Sequence, residues 1–358
     1  MKTFKYSLLS VALATFGQYT TTALAGDNIK WSGFLNAVAN LSDNEATYLE
    51  RVNDNGYFGN TAMGLNATAR VDSNLTLAAQ IIGGAHAGDG IGLDWAFANY
   101  RLNDATVLKF GKIKYAGNLY SETIDVGGFT YLWIHAPEAI YSEPTSLTFE
   151  AYRGAAIRYT PDANKMVAIE LFTGSAEGNP VELRPKHVKM IGAVVSAEND
   201  MGRLQAAYTT STMDLLDATG TPTPVHGEIY SVMSIGGAGN INNIGVIFEY
   251  SKSDTDKNAM ETTTNTGSYL AVSYKMGNYM PHLTVQNFES DDGVGTVIEN
   301  NALTLGLNKQ LSLNSILKLE VESIDPKNGG FFEVLDNTRP AFNDESVTVF
   351  NVALNYVF

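Results

Sequence analysis

Cysteine is absent from all 358 residues, which excludes disulfides, thiolate metal sites and a cysteine nucleophile. After the first 25 residues there is no run of about 18 consecutive apolar residues, so a membrane-spanning helix is excluded by length. The formal net charge of −15 disfavours nucleic acid as a partner, because such binding requires a basic face. The five histidines have no metal-ligand spacing, and no nucleophile elbow or phosphate-binding loop is present. We therefore expect no cofactor, no metal and no enzymatic activity.

The first residues have the composition of a secretory signal. A short basic start and an apolar stretch to about residue 16 precede Ala23-Leu24-Ala25, which fits the small-x-small rule for cleavage. The apolar stretch is too short to cross a bilayer as a helix. We expect residues 1–25 to be a signal peptide and residues 26–358 to be a single exported domain.

The last predicted strand of the sequence has one apolar face and one more polar face. Phe350, Val352, Leu354, Tyr356 and Phe358 lie on one side at period two, and most residues between them are small or polar. A terminal Phe preceded by apolar residues at every second position resembles the closing strand of Gram-negative outer-membrane proteins. The resemblance implies that the barrel-assembly machinery recognises the chain through Phe358.

Similar alternation recurs along the whole chain in segments of about ten residues. Seven short connections alternate with eight longer loops, and most of the short ones are rich in Gly, Asn, Asp or Pro, so sixteen strands are predicted. One loop is expected over 254–266, whereas the faces of segments 92–102, 187–198 and 227–237 stay unassigned. Because lipid satisfies no backbone polar group, the only β-structure that can span it is a closed barrel. The sequence thus predicts an all-β fold, a transmembrane antiparallel β-barrel of about 16 strands.

The longest predicted loop, residues 113–149, follows the fifth strand. Its aromatic, Ile and Val content argues against disorder, and a loop of this length in a compact fold is usually functional. The chain resembles the trimeric general porins of Gram-negative bacteria over essentially its whole exported length. The resemblance lies in the signal peptide, the barrel pattern, the terminal Phe and the long third loop. The resemblance implies a homotrimer in which the third loop folds inward, so that its acidic residues face basic residues on the barrel wall.

Carried onto this sequence, the resemblance defines two opposed sets of charges. The candidate acids of the constriction are Glu122, Asp125, Glu138 and Glu143. The candidate cations of the wall are Lys30, Arg70, Arg101, Lys109 and Arg158. Alternation supports a lumen position for Lys30, Arg70 and Arg158, and a cation facing the middle of the bilayer would cost about 2–4 kcal/mol. Opposed charges create a transverse field that orients dipolar solutes and disfavours apolar ones.

We therefore expect an outer-membrane porin that passes small hydrophilic solutes and ions and contacts lipid and lipopolysaccharide. The alternatives are a channel selective for a sugar or an ion, a structural or adhesive barrel, and a barrel enzyme with a site assembled from distant residues. Phe34, Tyr269 and Phe288 are predicted to point inward, as an aromatic sugar path requires. The acidic loops predict a weak preference for cations.

Overall fold

The structure is a computed structural model that describes residues 28–49, 52–84, 90–142, 149–161, 166–177, 186–215, 221–222, 226–257, 261–332 and 344–358. The predicted signal peptide, residues 1–25, lies outside these residues, as does Glu143. Within the described ranges, no helix is long and apolar enough to cross a membrane.

Sixteen antiparallel strands close into one barrel, which confirms the predicted fold class. Each strand pairs with its neighbours in sequence, and β1 pairs with β16 to complete the cylinder. The strands are β1 (Ile29–Ser42), β2 (Ala62–Arg70), β3 (Leu75–Gly84), β4 (Ile91–Asn103), β5 (Thr106–Lys114), β6 (Ala151–Tyr159), β7 (Val167–Glu177), β8 (Lys186–Asn199), β9 (Gly202–Asp214), β10 (Ile229–Ile241), β11 (Ile244–Lys257), β12 (Glu261–Tyr274), β13 (Tyr279–Asp291), β14 (Val297–Gln310), β15 (Ser315–Lys327) and β16 (Val347–Val357).

One long connection carries the helical turns of the described chain. Residues 115–150, which we call the long loop, join β5 to β6. They contain two 3-10 turns, Ser121–Thr123 and Gly127–Phe129, and the short helix α1, Glu138–Tyr141. The predicted loop over 113–149 therefore exists almost as expected.

Side chains on each strand alternate between the outside of the barrel and its lumen. On β16, Phe350 and Leu354 are exposed on the outside, whereas Asn351 and Asn355 are buried inside. The same alternation on the other strands gives the barrel an apolar exterior, and fully burying one such large side chain contributes about 1.5–3 kcal/mol. An exterior of this kind fits hydrocarbon, so the fold is that of a multi-pass outer-membrane barrel.

The last residue takes part in closing the cylinder. The backbone N–H groups of Gly33 and Phe358 donate to each other's carbonyl oxygens, at 2.9 and 3.0 Å. A Cβ added to Gly33 would lie 2.4 Å from the Phe358 ring. Glycine at this point of β1 therefore gives the terminal aromatic ring its space on the outer surface.

The predicted loop over 254–266 is wrong, because β11 continues to Lys257 and β12 begins at Glu261. Acids and threonines made this segment resemble a loop. The Asp254 carboxylate instead accepts a hydrogen bond from the Thr264 hydroxyl at 2.7 Å, across the strand pair. Cross-strand polar pairs of this kind stabilise a sheet whose outer end extends beyond the hydrocarbon.

Two of the segments whose faces stayed unassigned contain irregular pairing. The register of β3 with β4 shifts between Gln80 and Ile81, and that of β8 with β9 shifts between Val188 and Ile191. An extra residue on one strand moves every later side chain to the other face. Strict alternation could therefore not assign those strands.

Candidate functional site

The long loop lies inside the barrel. The Gln205 amide on β9 donates to the Ala116 carbonyl oxygen at 2.9 Å. The indole N–H of Trp133 donates to the Thr284 hydroxyl on β13 at 2.6 Å. Gln205 and Thr284 are both buried, and both face the lumen. The loop therefore crosses the interior, as the resemblance to porins implied.

One buried carboxylate holds both ends of the loop. Glu249 on β11, 2% exposed, accepts hydrogen bonds from the Leu119 N–H at 2.8 Å and from the hydroxyls of Tyr141 and Tyr269 at 2.6 and 3.0 Å. Burial and the adjacent carboxylate raise the pKa of Tyr141 well above its usual value. Tyr141 therefore keeps its proton and remains a donor.

A buried lysine and a glutamate on β15 hold the middle of the loop. The fully buried ammonium of Lys318 donates to the Tyr131 carbonyl at 2.9 Å and to the Trp133 carbonyl, and it lies 5.4 Å from the centre of the Tyr131 ring. The Ile134 N–H donates to the Glu320 carboxylate at 2.8 Å. Charge-assisted hydrogen bonds in a dry site are strong, so residues 131–134 are firmly anchored.

The predicted constriction acid Asp125 lies among other acids around a single lysine. The Lys114 ammonium contacts carboxylate oxygens of Asp125 at 2.6 Å and of Asp94 and Glu150 at 3.0 Å each. Oxygens of these three acids lie within 4.8 Å of one another. Lys114 supplies the positive charge at the centre of the group, and Asp125 is 4% exposed. The Asp125 carboxylate is thus engaged with the end of β5.

The other described loop acids lie on different sides of the loop. Glu138 hydrogen-bonds to Tyr48 of the first outer loop, in a cluster that includes Phe331. Glu122 is half-buried and interacts electrostatically with Lys109 on β5. Of the predicted acids that the structure describes, Glu122 is therefore the one brought to a predicted wall cation.

The five predicted wall cations all occupy lumen-facing positions. We call them the basic arc: Lys30, Arg70, Arg101, Lys109 and Arg158, on β1, β2, β4, β5 and β6. Glu170 on β7 is shared by two members of the arc, because it lies 2.9 Å from the Lys109 ammonium and 3.8 Å from the Arg158 guanidinium. Glu170 was not among the sequence-based candidates, although its alternation with Ile169 and Leu171 would have placed it in the lumen.

Several buried polar atoms in the lumen lack a protein partner. Among the described residues these include the amide oxygens of Asn66 on β2 and Asn99 on β4 and the hydroxyl of Tyr152 on β6. Buried polar atoms in proteins nearly always have a partner, so such positions indicate bound water. On the same wall, formed by β2–β6, the lumen-facing side chains of Arg70 and Arg101 are exposed, so water reaches this side of the lumen.

A serine and a histidine also lie within hydrogen-bond distance. His187 Nδ1 is 2.8 Å from the Ser211 hydroxyl oxygen. His187 is fully buried, and the rings of Phe149 and Tyr230 lie 4.8 Å from it. Hydrolysis requires a nucleophile that substrate can reach, so this covered pair is better explained as packing.

The fold of this chain is similar to that of several solved outer-membrane proteins. No protein-family model matches the chain, and no curated protein matches it. In-vitro folded OmpT, an outer membrane protein of Vibrio cholerae, superposes with a TM-score of 0.64 at 13% identity, over 94% of this chain and 100% of that chain. The anion-selective porin from Comamonas acidovorans superposes with a TM-score of 0.62 at 12% identity, over 92% of this chain and 99% of that chain. OmpF of Salmonella typhi, in complex with daunomycin, superposes with a TM-score of 0.59 at 12% identity, over 92% of this chain and 98% of that chain. At such identities the likeness shows the fold, that of the 16-stranded outer-membrane porins.

Proposed function

We propose that the protein is a porin, a water-filled channel for passive diffusion of small hydrophilic solutes and ions, and not an enzyme. One observation carries this proposal. The long loop is anchored across the interior of a closed barrel, yet the lumen-facing side chains of Arg70 and Arg101 on the wall formed by β2–β6 are exposed. An aqueous route beside the loop accounts for both features.

Solutes would pass between Glu122 of the loop and the cations of the wall. The carboxylates of Glu122 and Glu170 and the ammonium of Lys109 create a field across the route. Such a field aligns dipolar, hydrated solutes and disfavours apolar ones. The protein would therefore let solutes diffuse across the membrane without changing them chemically.

A sugar-selective channel is less well supported. Phe34, Tyr269 and Phe288 do point inward, but each is at most 4% exposed. The Tyr269 ring packs edge-on against Trp133 of the loop at 5.2 Å. A ladder for sugar rings requires free aromatic faces along the route, and these three faces are covered.

We further propose export through the predicted signal peptide, assembly through Phe358 and a homotrimer that contacts lipopolysaccharide. Support for a homotrimer comes from a similar solved structure, the trimer form of in-vitro folded OmpT of Vibrio cholerae, which superposes with a TM-score of 0.60 at 13% identity. Chemical cross-linking in the native membrane should give a band with the mass of three subunits. A monomer band alone would refute the trimer.

Recordings across a planar bilayer would test the channel. Protein whose folding is verified by its heat-dependent gel mobility should produce ohmic conductance steps, and vesicles that contain it should admit small sugars faster than large ones. Current blocked by one sugar at low concentration would favour the selective alternative. Folded, inserted protein without conductance would refute the proposal.

A further inference from the structure

We infer that the channel selects anions and that the basic arc is a binding surface for solutes carrying carboxylate or phosphate groups. The inference rests on the proposed channel function and specifies its substrate class. It opposes the cation preference that the acidic loops alone predict, and it depends on where each charge lies in the folded barrel.

Strand register makes the arc continuous on the lumen side. Arg70 lies opposite Thr76, Thr76 opposite Asn99, and Asn99 opposite Lys109, so one row crosses four strands. Directly opposite residues have their Cβ atoms about 4.5–5.5 Å apart. Polar side chains therefore connect the two cations of this row without an apolar break.

A second row lies nearer to the short turns. Arg101 and Arg158 both lie opposite Val107, on its two sides. Their strands are separated by two inter-strand steps of about 4.8 Å, so the two side chains leave the wall about 10 Å apart. Two guanidinium groups at that spacing can contact both ends of a small dianion, and each can bind a carboxylate or phosphate in bidentate fashion.

The positive charge of the arc is only partly balanced. Within the described parts of the chain, Glu170 is the only carboxylate at ion-pair distance from a member of the arc. Of the described loop acids, Glu122 interacts with Lys109 of the arc, whereas Asp125 and Glu150 surround Lys114 together with Asp94, and Glu138 hydrogen-bonds to Tyr48. Five cations thus face two carboxylates, and the region keeps a net positive charge.

Other nearby acids do not cancel this charge. Glu198 on β8 lies opposite Arg203 on β9 and interacts electrostatically with it and with Arg158, so Glu198 and Arg203 together add no net charge to the region. The Asp72 carboxylate accepts the backbone N–H groups of Asn74 and Leu75 within its own turn, outside the wall. Asp104 and Asp200 also lie in turns beyond the strand ends.

Location decides which charges control permeation. Ions in a narrow lumen pass close to the arc, and low-dielectric walls strengthen its field. Exposed acids on the outer loops act through salt solution, where charges beyond about 8 Å are screened at physiological ionic strength. The arc should therefore outweigh the acidic loops.

Reversal potentials in a KCl gradient test the inference, with the wild-type protein in a planar bilayer. We expect chloride to be more permeant than potassium, and phosphate or succinate added to one side to block the chloride current. The variant R70Q/R101Q/R158Q should lose the block and lower the chloride-to-potassium permeability ratio severalfold. Lys327→Gln, at an exposed outward position, is the matched control and should leave both unchanged.

The single variant Arg101→Gln covers the case in which the triple variant does not fold, because Arg101 is exposed and has no ion pair among the described residues. Like the triple variant, it should lower the chloride-to-potassium permeability ratio and weaken the block by phosphate or succinate. A wild-type channel that prefers potassium, or anion block that persists in a folded variant, would overturn the inference while the channel proposal stands. Folded protein without conductance would instead overturn the channel proposal.

Discussion

Replacing Lys318 by methionine should release the middle of the long loop. The ammonium group of this fully buried lysine is bonded to the carbonyl oxygens of Tyr131 and Trp133. Methionine fills similar space but donates no hydrogen bond, and it leaves the neighbouring Glu320 without its cation. We expect the loop to leave the wall and the pore to widen.

The magnitude follows from those contacts. Hydrogen bonds to a charged group contribute about 1.5–3 kcal/mol each. Losing both bonds of the ammonium therefore costs about 3–6 kcal/mol. Such a loss lowers the ratio of docked to released loop by between about a hundredfold and about ten-thousandfold. The double variant K318M/E320Q should recover part of this loss, because it leaves no unpaired charge.

Two measurements report the release. Single-channel conductance should rise or become noisy, and chymotrypsin should cut the loop after aromatic residues such as Tyr131 and Trp133. Lys309→Met is the matched control, because the Lys309 ammonium lies on the outer side of β14, 5.5 Å from the Tyr279 ring centre, and does not touch the loop. Unchanged conductance together with resistance to chymotrypsin in K318M would refute the assigned role of Lys318.

Two further predictions concern the packing of α1 and the lipid-facing wall. In Gly267→Ala the new Cβ would lie 1.8 Å from the Ala139 carbonyl oxygen, so we expect α1 to be displaced and chymotrypsin cleavage to increase. Gly92→Ala, where the added Cβ would meet nothing within 4 Å, should behave like wild type, and equal cleavage of both variants would contradict this packing. Leu305→Arg places a cation on the outer face of β14 and should lower the free energy of folding into vesicles by about 2–4 kcal/mol in denaturant titrations. Leu313→Arg in the following turn should cost far less, and similar losses for the two would show that Leu305 does not face hydrocarbon.

The barrel could be predicted because period-two alternation is a local property of the chain. On β15, Leu319 and Val321 face outward and Lys318 and Glu320 face inward, as their order in the sequence requires. All five predicted wall cations occupy lumen positions for the same reason, since charge facing hydrocarbon is expensive. Bulges in β4 and β8 depend on how neighbouring strands pair, and a single strand contains no sign of them.

The roles of the loop acids could not be predicted, because they depend on contacts between distant segments. Glu138 meets Tyr48 from the first outer loop, and Asp125 meets Lys114 at the end of β5. No spacing in the sequence distinguishes these acids from Glu122. Lys318 and Glu249 were visible only as polar residues on a lumen face, and their function as anchors requires the path of the loop.

The anchors of the long loop also impose an order on maturation. The Leu119 N–H binds a carboxylate 130 residues later in the chain, the Trp133 indole a hydroxyl 151 residues later, and the Ile134 N–H a carboxylate 186 residues later. Contacts between such distant segments form late, because a large part of the chain must be ordered first. A nascent barrel that lacks β11–β15 therefore has no partner for residues 119, 133 and 134, and this part of the loop becomes fixed across the bore only as the surrounding wall is completed.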